Sequence, residues 1–374
     1  MRIHIFGARS IPALWSGFDV TATELSKRFT AQGHDVTVFV MEKYCPPGKV
    51  RLVDGVRLVY VPTLYGKFVE TPIHEFLSSI VSLFSKADVS YVLGCRSSWV
   101  YALHRLVGRI VAYNTDGLDF TRKKWGPIAR WYLKLNYRIA ALIGTGLIHD
   151  NTHIRSYFQE HFGRGGAFIS IGGHIYSSTG DGVIQKYGLT PRSYYLIACR
   201  IEPENNIDKI VEGFRASKST KKLVIAGGAN YKSSLVESLQ QIKDPRVVFL
   251  GPVYTDNHIE ELHFHCFAYV HGHEVGGTNP SLLKAMGCGN IVLANGTAYN
   301  REVLGETGLF FEPTVEMTSR SIEELESTYL EHQHLRALAQ DRIRRYYTWD
   351  RSAEFHTQYF SHLLGERATY GETF

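Results

Sequence analysis

The sequence predicts an α/β protein made of two doubly wound parallel sheets, and three observations predict it. Short apolar runs of strand length recur in two series. Helical stretches separate the runs, and a Gly/Ser-rich segment at 172–182 lies between the series. A chain of 374 residues also fits two domains of ordinary size better than one.

The first series opens with RIHIF at 2–6, a buried strand, followed by a loop ending at Gly17. A helix is expected over 18–32, closing at Gly33, and DVTVFV makes the next strand. VRLVYV (56–61), VSYVLG (89–94) and RIVAYN (109–114) continue the pattern. The second series holds YYLIAC (194–199), KLVIAG (222–227), RVVFLG (246–251), FAYVHG (267–272) and IVLANG (291–296). Helices are expected between them at 207–217, 231–242, 257–265 and 280–287. Strands alternating with helices imply sheets covered on both faces. The last segment, 341–365, reads as one aromatic helix that crosses back to the first domain. The expected domains are therefore 1–175 together with 350–374, and 176–349.

Composition narrows the function. Hydrophobic residues make up 44% and charged residues 21%, as in an ordinary globular protein. A net charge of +5 permits an anionic small ligand or membrane surface but does not suggest a nucleic-acid binder. The five cysteines, Cys45, Cys95, Cys199, Cys266 and Cys288, are odd in number and form no C-x-x-C pair. They read as free thiols in a reducing compartment. MRIHIFGARS lacks the apolar core of a signal peptide, and no run approaches the roughly 18 apolar residues of a membrane span. The expected location is cytoplasmic.

Three places carry the chemistry. In HGHEVGGTNPSLLKAMGCGN (271–290) a strand ends, a glycine pair follows, and Thr278 or Asn279 caps a helix with Pro280 at its first position. Such a helix start suits phosphate, although any α/β protein has ordinary joints of this kind. In CRIEPENNID (199–208), Arg200 stands at the carboxyl end of a strand, where open sheets bind ligands. There it holds a diphosphate with Asn205 and Asn206 as neutral donors, or simply pairs with Glu202 or Glu204. The loop 7–17 reaches Gly17 without a G-x-G-x-x-G pattern, which speaks against a nicotinamide-dependent dehydrogenase.

Together these stretches resemble the retaining GT-B glycosyltransferases of family four, and more closely their bacterial rhamnosyltransferase-like branch. FGARSIPALWSGFD (6–19), YNTDGLDFTRKKWG (113–126), KKLVIAG (221–227), VVFLGPVY (247–254), NREVLG (300–305) and YTWDRSAEFHTQYF (347–360) extend the likeness over nearly the whole chain. The resemblance implies two Rossmann-like domains with an interdomain cleft and a C-terminal crossover helix. It also implies a donor held by the second domain and an acceptor by the first. Arg200 would bind the donor diphosphate. Gly276, Gly277, Thr278, Asn279 and the amides of Ser281 and Leu282 would cradle sugar and phosphates. The base would lie against Gly251, Pro252 and Val253.

Two departures stand out. The family's helix glutamate, which binds the ribose hydroxyls, is Lys284 here, and a lysine accepts no hydrogen bond. Glu274 lies ten residues before it instead of the usual eight, so its match to the loop glutamate is open. Asn205 stands where most of the family has lysine. Asp116 is assigned to donor or acceptor hydroxyls, or with Gly117 it forms only a turn.

The implied reaction is front-face displacement with no protein nucleophile, metal or cofactor. His263, His265, His271 and His273 lack acidic partners at zinc spacing. The expected donor is a nucleotide sugar, for instance dTDP-rhamnose, with a growing, lipid-linked bacterial surface glycan as acceptor. Another UDP- or GDP-sugar donor, or a catalytically silent nucleotide-sugar-binding scaffold, stays open. Residues 121–138 mix basic and aromatic side chains, either as an ordinary amphipathic helix or as a contact with the inner membrane face.

Overall fold

A computed structural model describes residues 1–13, 16–44, 51–64, 66, 69–229, 233–253, 255 and 257–366. Cys45, Leu14 and Trp15 of the first loop, Tyr254, and the start of the helix expected at 231–242 lie outside the described residues, as does the chain end beyond 366. The chain forms two compact units. One joins Met1–Thr121, Trp125–Gly172 and the chain from Tyr347 onward; the other joins Arg122–Lys124 and Gly173–Tyr346.

The strands of the first unit are β1 (Arg2–Phe6), β2 (Asp35–Met41), β3 (Leu52–Val53), β4 (Val56–Val61), β5 (Val89–Leu93), β6 (Ile110–Asn114), β7 (Gly146–His149) and β8 (Ala167–Phe168). They form one sheet in the order β3-β4-β2-β1-β5-β6-β7-β8, parallel but for the β3–β4 pair. Its helices are α1 (Gly17–Ala31), α2 (Glu70–Leu83), α3 (Ala102–Leu106), α4 (Pro127–Ile143) and α5 (Thr152–Phe162). The first helix begins where a capping box forms: Ser16 accepts from the Asp19 amide, and the Asp19 carboxylate accepts from the Ser16 amide. The expected start at Phe18 is thus one residue late.

In the second unit, β9 (Tyr194–Ala198), β10 (Lys222–Ala226), β11 (Val247–Gly251), β12 (Ala268–His271), β13 (Val292–Asn295) and β14 (Leu309–Phe311) form a wholly parallel sheet in the order β11-β10-β9-β12-β13-β14. Around it lie α6 (Gly182–Gln185), α7 (Ile207–Ala216), α8 (Ser234–Gln240), α9 (His258–His265), α10 (Pro280–Gly287), α11 (Ala298–Leu304), α12 (Val315–Ser327) and α13 (Leu335–Tyr346). Tyr195, Ile210, Phe214, Leu223, Val270 and Ile322 are buried in the core between sheet and helices. Chain order reverses between β9 and β12, so the loops leaving these two strands flank the crevice where open sheets take ligands.

The single helix expected over 341–365 is two helices. The second, α14 (Trp349–Leu363), starts after Thr348, whose extended backbone and hydroxyl cap it. It belongs to the first unit, where Ser352 Oγ donates to the Ser170 carbonyl at 2.8 Å. His356 Nδ1 stands 2.7 Å from the Ser352 carbonyl, so Nδ1 carries the proton and Nε2 faces the Tyr91 hydroxyl at 2.9 Å. A Cβ added to Gly172 would lie 2.4 Å from the Trp349 amide nitrogen, so only glycine fits there.

Candidate active site

Both motif loops of the second unit lie at that crevice, and they interlock. The Glu274 amide donates to the Glu204 carbonyl at 2.9 Å, and Asn206 Nδ2 donates to the Gly272 carbonyl at 2.9 Å. Gly272 passes so close to the other loop that an added Cβ would sit 2.2 Å from the Asn205 carbonyl oxygen.

Arg200 follows β9 with its side chain half-exposed, and its Nη1 lies 4.0 Å from the Glu202 carboxylate. The shorter contacts of these glutamates go to the segment 122–124. Lys124 Nζ lies 3.1 Å from Glu202, Arg122 Nη1 lies 3.1 Å from the buried Glu204, and Lys123 Nζ lies 2.7 Å from Glu274. Burial pulls the Lys124 ammonium below its usual range, with Glu202 opposing the shift. Asn205 uses its side-chain amide on the Arg200 carbonyl at 2.7 Å.

The helix start forms as its residues dictate. Asn279 is extended, its side chain accepts from the Ser281 amide at 3.0 Å, and Pro280 takes the first helical position. The Leu282 amide donates to the Asn279 carbonyl at 3.0 Å. The amides of Ser281 and Leu282, expected to meet phosphate, are thus engaged inside the cap. Ahead of them Gly276 has φ 147°, a backbone rarely open to other residues, and Gly277 and Thr278 are buried. Gly276, Gly277 and Asn279 line a pocket with His273, Glu274, Val275, Thr297, Tyr299 and Asn300.

Lys284 lies one turn further along. Its ammonium pairs with Glu260 on α9 and sits 5.1 Å above the Tyr176 ring. Gly251 ends β11 with φ 70°, and Val253 follows it half-buried. Gly17 and Asp116 belong to the first unit. Gly17 opens α1, and the Asp116 amide donates to Asn114 Oδ1 at 2.9 Å in a turn that Gly117 completes with φ 64°.

Sequence reasoning did not single out Asn300, whose Nδ2 donates to the carbonyls of His273 at 3.1 Å and Asn295 at 2.9 Å, fixing the pocket wall. A helix start after Thr297, readable in GTAYN, was the available signal. It also passed over the basic run 122–124 as a partner for the glutamates, because that pairing joins distant parts of the chain. Among the described residues, no three His, Cys, Asp or Glu side chains are grouped to hold a metal.

Residues 184–342, which contain both motif loops, match the family model described as glycosyl transferases group 1. That segment is a glycosyl transferases group 1 domain. With that domain the chain is a glycosyltransferase enzyme, and its fold is GT-B. Residues 69–174 of this glycosyltransferase match a domain of unknown function, DUF1972. A search of curated proteins finds no match. Among solved structures it is similar to a sucrose-phosphate synthase from Thermosynechococcus elongatus, with TM-score 0.80 and 15% identity over 97% of this chain and 99% of that one. It is also similar to HepE of Anabaena in complex with UDP and glucose, with TM-score 0.79 and 15% identity over 96% of this chain and 99% of that one. At such identities the likeness concerns the fold.

Proposed function

We propose that this glycosyltransferase moves a deoxyhexose, L-rhamnose from dTDP-rhamnose, onto a growing bacterial surface glycan. The observation that carries the choice of nucleotide is Lys284. Its side chain is bound to Glu260 and offers no acceptor to a ribose, which favours a nucleotide with fewer ribose hydroxyls. HepE was solved with UDP-glucose, and a UDP-sugar is the second reading.

In the reaction the bond from the anomeric carbon to the diphosphate oxygen breaks as the acceptor oxygen bonds to the same face of that carbon. The acceptor proton passes to the leaving oxygen. Arg200 and the positive end of α10 stabilise the charge that develops there, and Glu274 and the Gly276–Asn279 loop hold the sugar. Gly251 and Val253 lie along the base, Asn205 and Asn206 brace the Arg200 loop, Gly17 serves the donor, and Asp116 meets donor or acceptor hydroxyls. Turnover of a panel of dTDP-, UDP- and GDP-sugars, followed by released nucleotide, tests the donor. Turnover of dTDP-rhamnose is expected, and turnover of UDP- or GDP-sugars alone would overturn it.

A lipid-linked acceptor places the enzyme at the inner membrane face. Supporting this, Ile128, Trp131, Leu135 and Leu142 are exposed on one face of α4 at helical spacing, with Arg130, Lys134 and Arg138 beside them. No described helix is long and apolar enough to cross a membrane. Sedimentation with phosphatidylglycerol vesicles is expected to retain the protein and to lose the variant I128S/W131S. Equal retention of both would remove α4 from the contact.

A further inference from the structure

Strand β12 runs into a pair of stacked imidazoles. The rings of His271, the last residue of β12, and His273, in the loop that follows, lie 4.1 Å apart and 9° from parallel. His271 Nδ1 meets the Tyr269 hydroxyl at 3.3 Å. His271 Nε2 and His273 Nδ1 are buried and have no hydrogen-bond partner in the protein. A buried polar atom left unpaired is costly, so a nitrogen kept this way at a pocket calls for a ligand group.

The two rings differ in position. His271 is wholly buried, whereas His273 lines the pocket with Glu274, Gly276, Asn279, Thr297 and Asn300. Its backbone cannot drift, because Asn295 and Asn300 both donate to its carbonyl. Burial, with the charges of Arg122 and Arg200 nearby, holds the His273 imidazole neutral, well below its ordinary range. A neutral imidazole nitrogen is poorly suited to a diphosphate, which the guanidinium of Arg200 serves better. It is well suited to a hydroxyl group, which donates or accepts according to the tautomer it meets.

We propose that His273 is a specificity-determining residue whose Nδ1 hydrogen-bonds a hydroxyl of the transferred sugar ring, with His271 as its stacking support. This rests on the reading of the second unit as the donor site. It assigns His273 to the sugar and Arg200 to the diphosphate, so the two contacts separate in binding measurements.

Calorimetric titration with two matched pairs, dTDP-rhamnose with dTDP and UDP-glucose with UDP, tests it on wild type, His273→Phe and His273→Asn. Phenylalanine keeps the stack and removes the nitrogens, and unchanged melting curves verify the fold. Asparagine returns a polar group near the Nδ1 position. For the pair that wild type binds, His273→Phe is expected to weaken the nucleotide sugar about tenfold and leave the nucleoside diphosphate unchanged. His273→Asn should recover most of the loss. Equal weakening of both members would overturn the proposal, since the ring would then serve the diphosphate or the loop. No weakening of either member would overturn it as well. Wild type binding neither pair would instead overturn the donor reading, and the proposal with it.

Discussion

Asn205 turns its side-chain amide back onto the Arg200 carbonyl oxygen at 2.7 Å, closing the turn that presents the Arg200 guanidinium. The position that holds a lysine in the sequences this chain resembles therefore supports the loop from within. Arg200 is left as the half-exposed cation at the end of β9.

Replacing Arg200 with alanine should leave the fold intact, because its side chain is half-exposed at the end of β9. Turnover should fall at least ~100-fold, the usual cost of one lost contact to a developing anion. Released nucleotide measures the loss, and EDTA should leave wild-type activity unchanged. Full activity in the variant would remove Arg200 from the reaction.

Gly272→Ala should disrupt the interlocked loops. The new methyl group would stand 2.2 Å from the Asn205 carbonyl oxygen and 2.5 Å from the Ile210 side chain, so backbone must move. Overpacking of this kind costs about 1–3 kcal/mol, and the Asn206–Gly272 hydrogen bond shifts with it. Urea unfolding reads the stability, and a midpoint unchanged from wild type would show that the loops are more yielding than their packing implies.

Lys284→Glu should favour ribonucleotide donors by the worth of a charged hydrogen bond, about 1.5–3 kcal/mol at most. It also sets a second carboxylate against Glu260, which both groups' partial exposure limits to about 1 kcal/mol of stability. Dissociation constants for dTDP, UDP and GDP decide the outcome. Loss of all three would place Lys284 on the diphosphate, and no change in any would place its side chain away from the nucleotide.

Acid should destabilise the protein before its carboxylates titrate. Burial holds His271 at about 3 and His263, His104 and His356 at about 4, against 6.5 in the unfolded chain. From pH 6.5 down to about 4 the unfolded chain thus binds more protons, and stability falls with pH. Glu75 acts in the opposite sense. Burial raises its carboxyl to about 7, partly offset by Arg96, so its protonated form favours the native state below pH 4.5, an advantage lost as pH rises to 7. Glu75→Gln should therefore gain on wild type at pH 8 relative to pH 4.5 in urea midpoints. An equal difference at both values would contradict the buried, raised carboxyl.

The strand series, the capped start of α10 and the position of Arg200 at a strand end were legible in the sequence, because each depends on neighbours in the chain. Periodicity shows a buried strand, and Asn-Pro shows a helix start. The short strands β7, β8 and β14 were not legible, since two to four residues carry too little pattern. Nor was the break between α13 and α14, although Thr348 offered a cap, because the aromatic pattern continues across it. Tertiary structure alone decided the pairing of Lys284 with Glu260, of residues 122–124 with the glutamates, and of His271 with His273 into a neutral stack. Local pattern reports how a segment folds. The partner and the protonation state of a polar side chain depend on burial and on charges brought close from distant parts of the chain.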